Sequence, residues 1–207
     1  ATDTCENPSV EYYRNNYIMK NRSRGNAVLL ILAAFLLIFS PSCEKDEENL
    51  LIGQSYQGGF IGYLLEKGDP GYERRNQHGF ILAPYDQTPA PWGCDNIKIV
   101  TSMDIGAGRN NTSAILNACM EAGIAARVCD DLILGGYDDW YLPSDAELVM
   151  ICLNLYKISG LSGIYWTSSE SSGENRYAWT MEAFDNSIGG GTDSRWVVRK
   201  VRAVRSF

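Results

Sequence analysis

Short runs of alternating apolar and polar residues dominate the chain after residue 50 and predict β-strands. The runs cover residues 52–65, 78–84, 164–168, 177–184 and 197–204, and turn residues separate them. In the last run the apolar Val and Ala alternate with Arg, as expected of a strand with one buried face. The polar, glycine-rich stretches at residues 171–175 and 185–195 are expected to be loops.

Helical spacing of apolar residues is confined to the middle of the chain. Ser144 followed by Glu147 forms a capping box, in which each side chain bonds a backbone N–H that the first helical turn leaves free. The helix that begins there is expected to bury one stripe of its surface, formed by Leu148, Ile151, Cys152 and Leu155. This assigns a structural role to Ser144 and Glu147 and argues against a catalytic one.

A second helix is expected earlier in the chain. Asn111 or Thr112 would begin it and Gly123 would end it, and a further helical piece is predicted over residues 125–134. Helices grouped in mid-chain, with strands on either side, predict an α+β fold with antiparallel sheets and two main helices.

Residues before position 50 carry the pattern of a secretory signal. Three basic residues at positions 20–24 precede a run of 13 apolar residues at positions 27–39. A helix needs about 20 apolar residues to span a bilayer, so the run is short for a transmembrane segment. Cys43 follows small residues, which resembles a bacterial lipoprotein signal that places lipid on this cysteine. Because Ser40 stands where lipoproteins usually have Leu or Ile, an uncleaved anchor or an ordinary signal peptide is the alternative.

These patterns divide the chain into four parts. We expect residues 1–18 to be an upstream extension or disordered, residues 19–42 to be the signal peptide, residues 43–50 to be an acidic tether and residues 51–207 to form one domain. The acidic run after Cys43 resembles the export tag of surface lipoproteins of Bacteroidetes. The predicted location is therefore the outer membrane, at the cell surface, with lipid on Cys43 as the membrane contact.

The charge of the exported part narrows the classes of partner. Residues 43–207 hold 14 Lys and Arg against 22 Asp and Glu, a formal charge of −8. An acidic domain is a poor binder of nucleic acid, so none is expected. Basic residues nevertheless crowd the C-terminal strand, either as the solvated face of that strand or as a ligand patch; they are Arg195, Arg199, Lys200, Arg202 and Arg205.

Four cysteines fall in the predicted domain: Cys94, Cys119, Cys129 and Cys152. An even number in an exported chain permits two disulfides with three pairings, and buried thiols are the alternative. Cys119 and Cys129 would close the shortest loop, so they are the first pair expected. Zinc is not expected, because the chain has no Cys-x-x-Cys pair and a single histidine, His78.

Six sequence blocks, in order, resemble a widespread bacterial domain family known from the C-terminal domain of a collagen-like adhesin. Three of them are Asp-Trp-Tyr-Leu-Pro-Ser at 139–144 with Glu147, Tyr-Trp-Thr-Ser-Ser at 165–169 and Val-Arg-Ala-Val-Arg at 201–205. The others are a glycine-rich block at 53–59, Trp-Gly-Cys at 92–94 and a glycine–asparagine block at 106–112. The resemblance extends over residues 53–205.

The resemblance implies a C-type-lectin-like fold and an adhesin-like role without enzymatic activity, with an extracellular glycan or a surface protein as partner. The adhesin member of the family binds sulfated host glycans. Two departures limit the transfer of that ligand. The calcium–sugar motifs of animal lectins, Glu-Pro-Asn and Trp-Asn-Asp, are absent from this sequence, and the acidic charge opposes a sulfated ligand.

Ligand contacts are expected on the two loops before the last strands, since loops on a rigid sheet usually carry binding residues. The candidates are Glu170, Asn175, Arg176, Asp193, Arg195 and Trp196. An aromatic face beside an Arg fork suits a sugar ring that bears a carboxylate. In the alternative, Trp196 folds inward and Arg195 only offsets nearby acids.

Two weaker constellations remain. Asp130, Asp131, Asp138 and Asp139 have the oxygen ligands that calcium prefers, although such residues are more often turn formers; apart from this, no cofactor is expected. A pair drawn from Glu170, Asp185 and Asp193 would serve as acid and base in the alternative function, an enzyme acting on polysaccharide. A structural subunit of a surface assembly is the third alternative.

Overall fold

The computed structural model of the chain describes residues 49–155, 160–172, 175–184 and 187–207. Residues 1–42, Cys43 and most of the tether lie outside the described residues, and so does Asp185. Within the described part the elements follow in the order β1 to β4, α1 to α3, β5 to β9. One block of helices between two groups of strands makes this an α+β protein, as predicted. None of the described helices is long and apolar enough to cross a membrane.

The bounds of the elements are as follows. The strands are β1 (Ser55–Tyr56), β2 (Gly59–Leu64), β3 (Gly79–Leu82), β4 (Gln87–Ala90), β5 (Gly163–Glu170), β6 (Tyr177–Phe184), β7 (Ser187–Ser194), β8 (Arg199–Val201) and β9 (Val204–Ser206). The helices are α1 (Gly108–Ala118), α2 (Ala125–Asp130) and α3 (Asp145–Leu155).

Strands β1, β2, β3 and β9 form a four-stranded antiparallel sheet in that order. Leu82 at its centre pairs with Phe60 on one side and Val204 on the other. Gly58 lies in the turn between β1 and β2, and Gly59 is the first residue of β2. A Cβ atom on Gly59 would lie 2.3 Å from the carbonyl oxygen of Leu82, so glycine is required for this close strand approach.

The second sheet has five strands in the order β4, β8, β5, β6 and β7. All its pairs are antiparallel except that of β5 with β8, where Tyr165 pairs with Lys200 in parallel. The prediction of a loop at residues 185–195 is wrong for Ser187–Ser194, because these residues pair with β6 along its whole length. Glycine disfavours a strand locally, but eight cross-strand pairs outweigh that preference.

The prediction of one continuous strand at residues 197–204 is also wrong. The chain leaves the second sheet after β8 and enters the first as β9. At the crossing, Ala203 donates its backbone N–H to the side chain of Gln87 and accepts a hydrogen bond from the N–H of Ala83. The alternating pattern of this run is therefore shared by two short strands in different sheets.

Helix α1 begins earlier than predicted, at Gly108. Asn111 and Thr112 are buried inside the helix and do not cap it. The Asn111 amide instead bonds both backbone groups of Ser102, at 2.9 and 2.6 Å, and the Thr112 hydroxyl bonds both backbone groups of Leu142. These polar residues hold α1 to the chain around it.

The capping box at α3 is confirmed. The Glu147 carboxylate accepts the N–H of Ser144 at 2.9 Å, and the Ser144 hydroxyl accepts the N–H of Glu147 at 3.3 Å. Glu147 is buried, and its second oxygen also accepts the N–H groups of Gly106 and Gly108. One carboxylate thus joins the starts of α1 and α3. Burial raises the pKa of Glu147, and the three amide donors oppose that rise.

The core lies around three buried tryptophans. Trp140 and Trp166 are buried, whereas Trp179 is only half-buried. Trp92 packs in the same cluster as Trp140 and Trp166. Leu50, which was assigned to the tether, is also buried. Its backbone N–H donates to the side-chain oxygen of Gln77, and its carbonyl oxygen accepts a hydrogen bond from the side-chain nitrogen of Gln77. The compact unit therefore takes in the last residue of the predicted tether.

Candidate ligand-binding surface

Three segments meet at one end of strands β6 and β7, and we refer to them together as the loop surface: residues 94–100, 175–177 and 194–198. The backbone N–H of Asn96 donates to the carbonyl of Asn175, and that of Arg195 donates to the carbonyl of Arg176, both at 2.9 Å. All six predicted ligand-binding candidates lie on these segments or bond to them. The structure therefore brings together residues that the sequence places on separate loops.

Arg195 does not reach solvent from the loop surface. Its side chain is 0% exposed, and its guanidinium donates to the carboxylate of Glu170, which is also largely buried. Further bonds go to the carbonyl oxygens of Cys94, Ile97 and Tyr177. The expectation of an exposed Arg fork is therefore wrong, because this cation is used to hold the loop surface from within.

Glu170 completes the same internal anchor. Its second carboxylate oxygen accepts the backbone N–H of Ile99 at 3.2 Å, and its own N–H donates to the hydroxyl of Thr101. The Arg195–Glu170 pair thus fixes residues 94–99 through their backbone groups. A buried charge pair with this many hydrogen bonds meets the condition under which burial of charge is tolerated.

A disulfide joins Cys94 to Cys119, so the expected Cys119–Cys129 pair is wrong. Gly93 and Cys94 both have positive φ, 94° and 49°, and this turn carries Cys94 to the end of α1, where Cys119 lies. The two Cα atoms are 5.6 Å apart, within the usual range for a disulfide. The bridge is a second, covalent anchor for the start of the loop surface.

Cys129 and Cys152 are free and buried thiols. Burial raises the pKa of both, most strongly that of Cys129 on α2. A thiol that resists ionisation is a poor nucleophile and a poor metal ligand, so both cysteines act as apolar core residues.

Trp196 is the most exposed aromatic residue of the loop surface, at 75%. It lies in a turn in which the N–H of Val197 donates to the carbonyl of Ser194 at 2.9 Å. Its neighbour in that turn is the buried Arg195. The indole is therefore presented to solvent on a turn whose other central residue is fixed in the core, and the expectation that Trp196 is exposed is confirmed.

Arg176 is exposed beside this turn. Its Nε donates to the Oδ1 of Asn96 at 3.1 Å and lies 3.7 Å from the carboxylate of Asp95. Asn96 in turn donates to Asp95 at 3.0 Å. These three exposed side chains form a polar group, which we call the polar triad.

Apolar side chains surround the turn as well. Ile97, Tyr177 and Val198 are 42%, 41% and 56% exposed, and Val198 also lines an open groove that runs over β8 to Pro89 and Ile164. Arg199 at the groove is paired with Asp193. Asp193 thus acts as an ion-pair partner in the structure and links the end of β7 to the start of β8 across the turn between them.

The aspartates proposed for calcium do not form a group of three metal ligands in the described part of the chain. Asp139 is bound by Arg205 and Arg109. The hydrogen bonds from Arg205 in particular hold the pKa of Asp139 below its ordinary value. The one described group of three potential metal ligands is Cys94, Cys119 and Glu121, and its two sulfur atoms already form the disulfide.

Sequence reasoning missed the contribution of residues 95–98. They follow a Pro-rich stretch and carry no periodic pattern, and they lie 80 positions from Arg176. Trp-Gly-Cys was a usable signal for a tight turn before them, but their contact with residues 175–177 depends on the buried Arg195.

No protein-family model and no curated protein matches the sequence. The candidate ligand-binding surface is therefore assigned from the geometry of the chain itself.

Proposed function

We propose that the protein is a non-enzymatic binding protein of the outer membrane, anchored by lipid on Cys43, whose domain has a C-type-lectin-like fold and binds an extracellular glycan or surface protein through the loop surface. The α+β architecture is compatible with that fold. Further support comes from the way the family-like blocks contact one another. Tyr141 pairs with Val204, and the N–H of Ser168 donates to the carbonyl of Pro143 at 2.7 Å.

The observation that carries the binding role is the exposed Trp196. A tryptophan that is 75% exposed leaves a large apolar area in water. A single exposed apolar side chain is ordinary, whereas a contiguous exposed apolar patch marks an interaction site. Ile97, Tyr177 and Val198 extend this apolar area, and the polar triad borders it. An aromatic group with a polar rim is the composition of a recognition surface.

The side chains proposed for catalysis are instead used in structural contacts. Glu170 and Asp193 each bind an arginine. A carboxylate whose oxygens already accept hydrogen bonds from an arginine is poorly placed to exchange a proton with a substrate. This supports a binding role over a polysaccharide-acting enzyme.

The anchor is tested in the full chain by changing Cys43 to Ala. We expect the parent protein to partition into the detergent phase with lipid on Cys43, and the variant to remain unprocessed or to be released. Mass spectrometry of the N-terminal peptide identifies the lipid. Unchanged processing and partitioning in the variant would contradict the anchor.

The binding surface is tested with the purified full chain on glycan and surface-protein arrays. We expect Trp196→Ala to lose binding while keeping the thermal midpoint of the parent. Tyr85→Ala is the matched control, because Tyr85 is an aromatic residue 54% exposed outside the loop surface. Equal loss in both variants, or full binding by Trp196→Ala, would place the site elsewhere, and turnover of a bound glycan would favour the enzyme.

A further inference from the structure

We infer that the ligand of the loop surface is an uncharged saccharide, one ring of which stacks on Trp196 while its hydroxyl groups bond to the polar triad of Asp95, Asn96 and Arg176. The inference rests on the proposed function, since it names the class of ligand that the same surface takes.

The polar triad lies close to the turn that presents Trp196. Arg195, which precedes Trp196, bonds the carbonyl of Arg176 through its backbone N–H at 2.9 Å. Arg176 bonds Asn96 through its side chain at 3.1 Å. One hydrogen bond therefore links the turn that carries the indole to Arg176, and a second links Arg176 to Asn96. The indole and the polar triad lie within the span of a small oligosaccharide.

The side chains of the loop surface match the chemistry of a pyranose ring. A pyranose ring has an apolar face of C–H groups and a rim of hydroxyls that both donate and accept hydrogen bonds. The indole supplies a flat apolar surface for the face. In the polar triad Asp95 accepts, Arg176 donates and Asn96 does both, so vicinal hydroxyls find complementary partners. A few polar groups beside an aromatic surface are what fixes the orientation of a small ligand.

The charges near the turn favour an uncharged ligand over an anionic one. Near the turn, Arg195 is paired with Glu170, Arg199 with Asp193 and Arg176 with Asp95. Among the described residues of the loop surface, Lys98 is the one cation without an ion pair in the structure. A sulfated or uronate-rich polymer binds through several unpaired cations, and the exported part of the chain carries a formal charge of −8.

The loop surface is held in place from within. The disulfide, the Arg195–Glu170 pair and the turn at Ser194 hold both halves of the surface before any ligand arrives. A preformed surface loses little conformational entropy on binding, which matters for saccharides because they bury little area. The groove beside Val198 gives neighbouring sugar units a path across β8.

The test measures binding by the purified full chain to two sets of oligosaccharides in 50 and 500 mM NaCl. The uncharged set contains cello-, xylo-, manno- and chito-oligosaccharides, and the charged set contains heparin fragments and oligogalacturonates. We expect a member of the uncharged set to bind with less than about a twofold change in Kd between the two salt concentrations, because a neutral ligand releases no counterions.

The variants assign the contacts. We expect Trp196→Ala to raise the Kd about tenfold or more, and Asn96→Ala and Arg176→Ala to raise it several-fold, with Tyr85→Ala unchanged; tenfold corresponds to about 1.4 kcal/mol. Binding to the charged set alone, with steep loss in 500 mM NaCl, would overturn the inference, as would uncharged binding that ignores Trp196→Ala. If neither set binds while a surface protein binds through Trp196, the inference fails and the proposed function stands. If nothing binds through Trp196, both fail.

Discussion

The guanidinium carbon of Arg195 lies 4.3 Å from the centroid of the Trp92 indole ring, and both side chains are buried. The cation is therefore held from two sides, by an aromatic face and by the carboxylate of Glu170. A cation–π contact strengthens when water is excluded, so this pairing is worth more than its exposed equivalent. It also explains why a residue expected to meet a ligand serves the core.

The first prediction follows from this anchor. Arg195→Ala leaves the Glu170 carboxylate buried without its partner, and loss of one member of a buried pair costs about 3–5 kcal/mol. Urea denaturation measures the free energy of unfolding. Arg176→Ala is the control, because its exposed ion pair contributes at most about 1 kcal/mol. Equal stability of the two variants would mean that Arg195 is not a structural anchor.

The second prediction concerns the disulfide. It closes a loop with a sequence separation of 25 residues, for which we expect a loss of about 2–4 kcal/mol when both cysteines become alanine. A reducing agent should lower the thermal midpoint of the parent and leave that of the Cys94→Ala/Cys119→Ala variant unchanged. A reductant effect that persists in the double variant would show that another pair of cysteines is oxidised.

The third prediction concerns the close approach of α1 to α3. A Cβ atom on Gly108 would lie 2.2 Å from a carboxylate oxygen of Glu147 and 2.8 Å from the Ser144 nitrogen. Gly108→Ala should therefore destabilise the protein by about 1–3 kcal/mol, although alanine favours a helix more than glycine does. In the control variant Gly190→Ala the nearest atom, the carbonyl oxygen of Thr180, is 3.9 Å from the new Cβ. A stable Gly108→Ala variant would contradict the described contact between the two helix starts.

The fourth prediction concerns acid stability. The hydrogen bonds from Arg205 lower the pKa of Asp139 from its ordinary value of 3.8. The unfolded chain therefore takes up this proton more readily, so the pair stabilises the fold above about pH 4 and this contribution is lost as the pH falls through the lowered pKa.

We expect Asp139→Asn to be less stable than the parent at pH 7 and to lose less further stability on going to pH 3. Chemical denaturation at both pH values measures the difference. Asp138→Asn, at the exposed neighbouring position, should follow the parent at both pH values. The prediction would be wrong if Asp139→Asn and the parent lost stability in parallel.

Local pattern was enough to identify several elements of the domain. The capping box at Ser144 and Glu147 and the strand Tyr177–Phe184 are found where their sequence predicted them. Both depend on contacts between residues close in the chain or on strict alternation, and such signals are readable without the fold. The charge, the signal-like pattern and the family-like blocks are equally properties of the sequence alone.

The partners of polar and charged side chains were decided by tertiary structure. Arg195 and Trp196 are adjacent in sequence, and the sequence left open whether they face solvent or the core; in the structure one is 0% exposed and the other 75%. Their separation depends on Glu170, Trp92 and the carbonyl oxygens of residues 94–97, which reach Arg195 only after folding.

The same reason accounts for the disulfide and for β7. Cys119 is closer in sequence to Cys129, but the positive φ angles of Gly93 and Cys94 place Cys94 against it. The glycines of β7 have no strand preference of their own, and their pairing is imposed by β6. The sequence by itself determined which residues are apolar, which can cap and which stretches can alternate. Only the tertiary structure decided which groups meet across long separations, because a buried charge, a disulfide or an edge strand is stabilised by partners that local sequence does not specify.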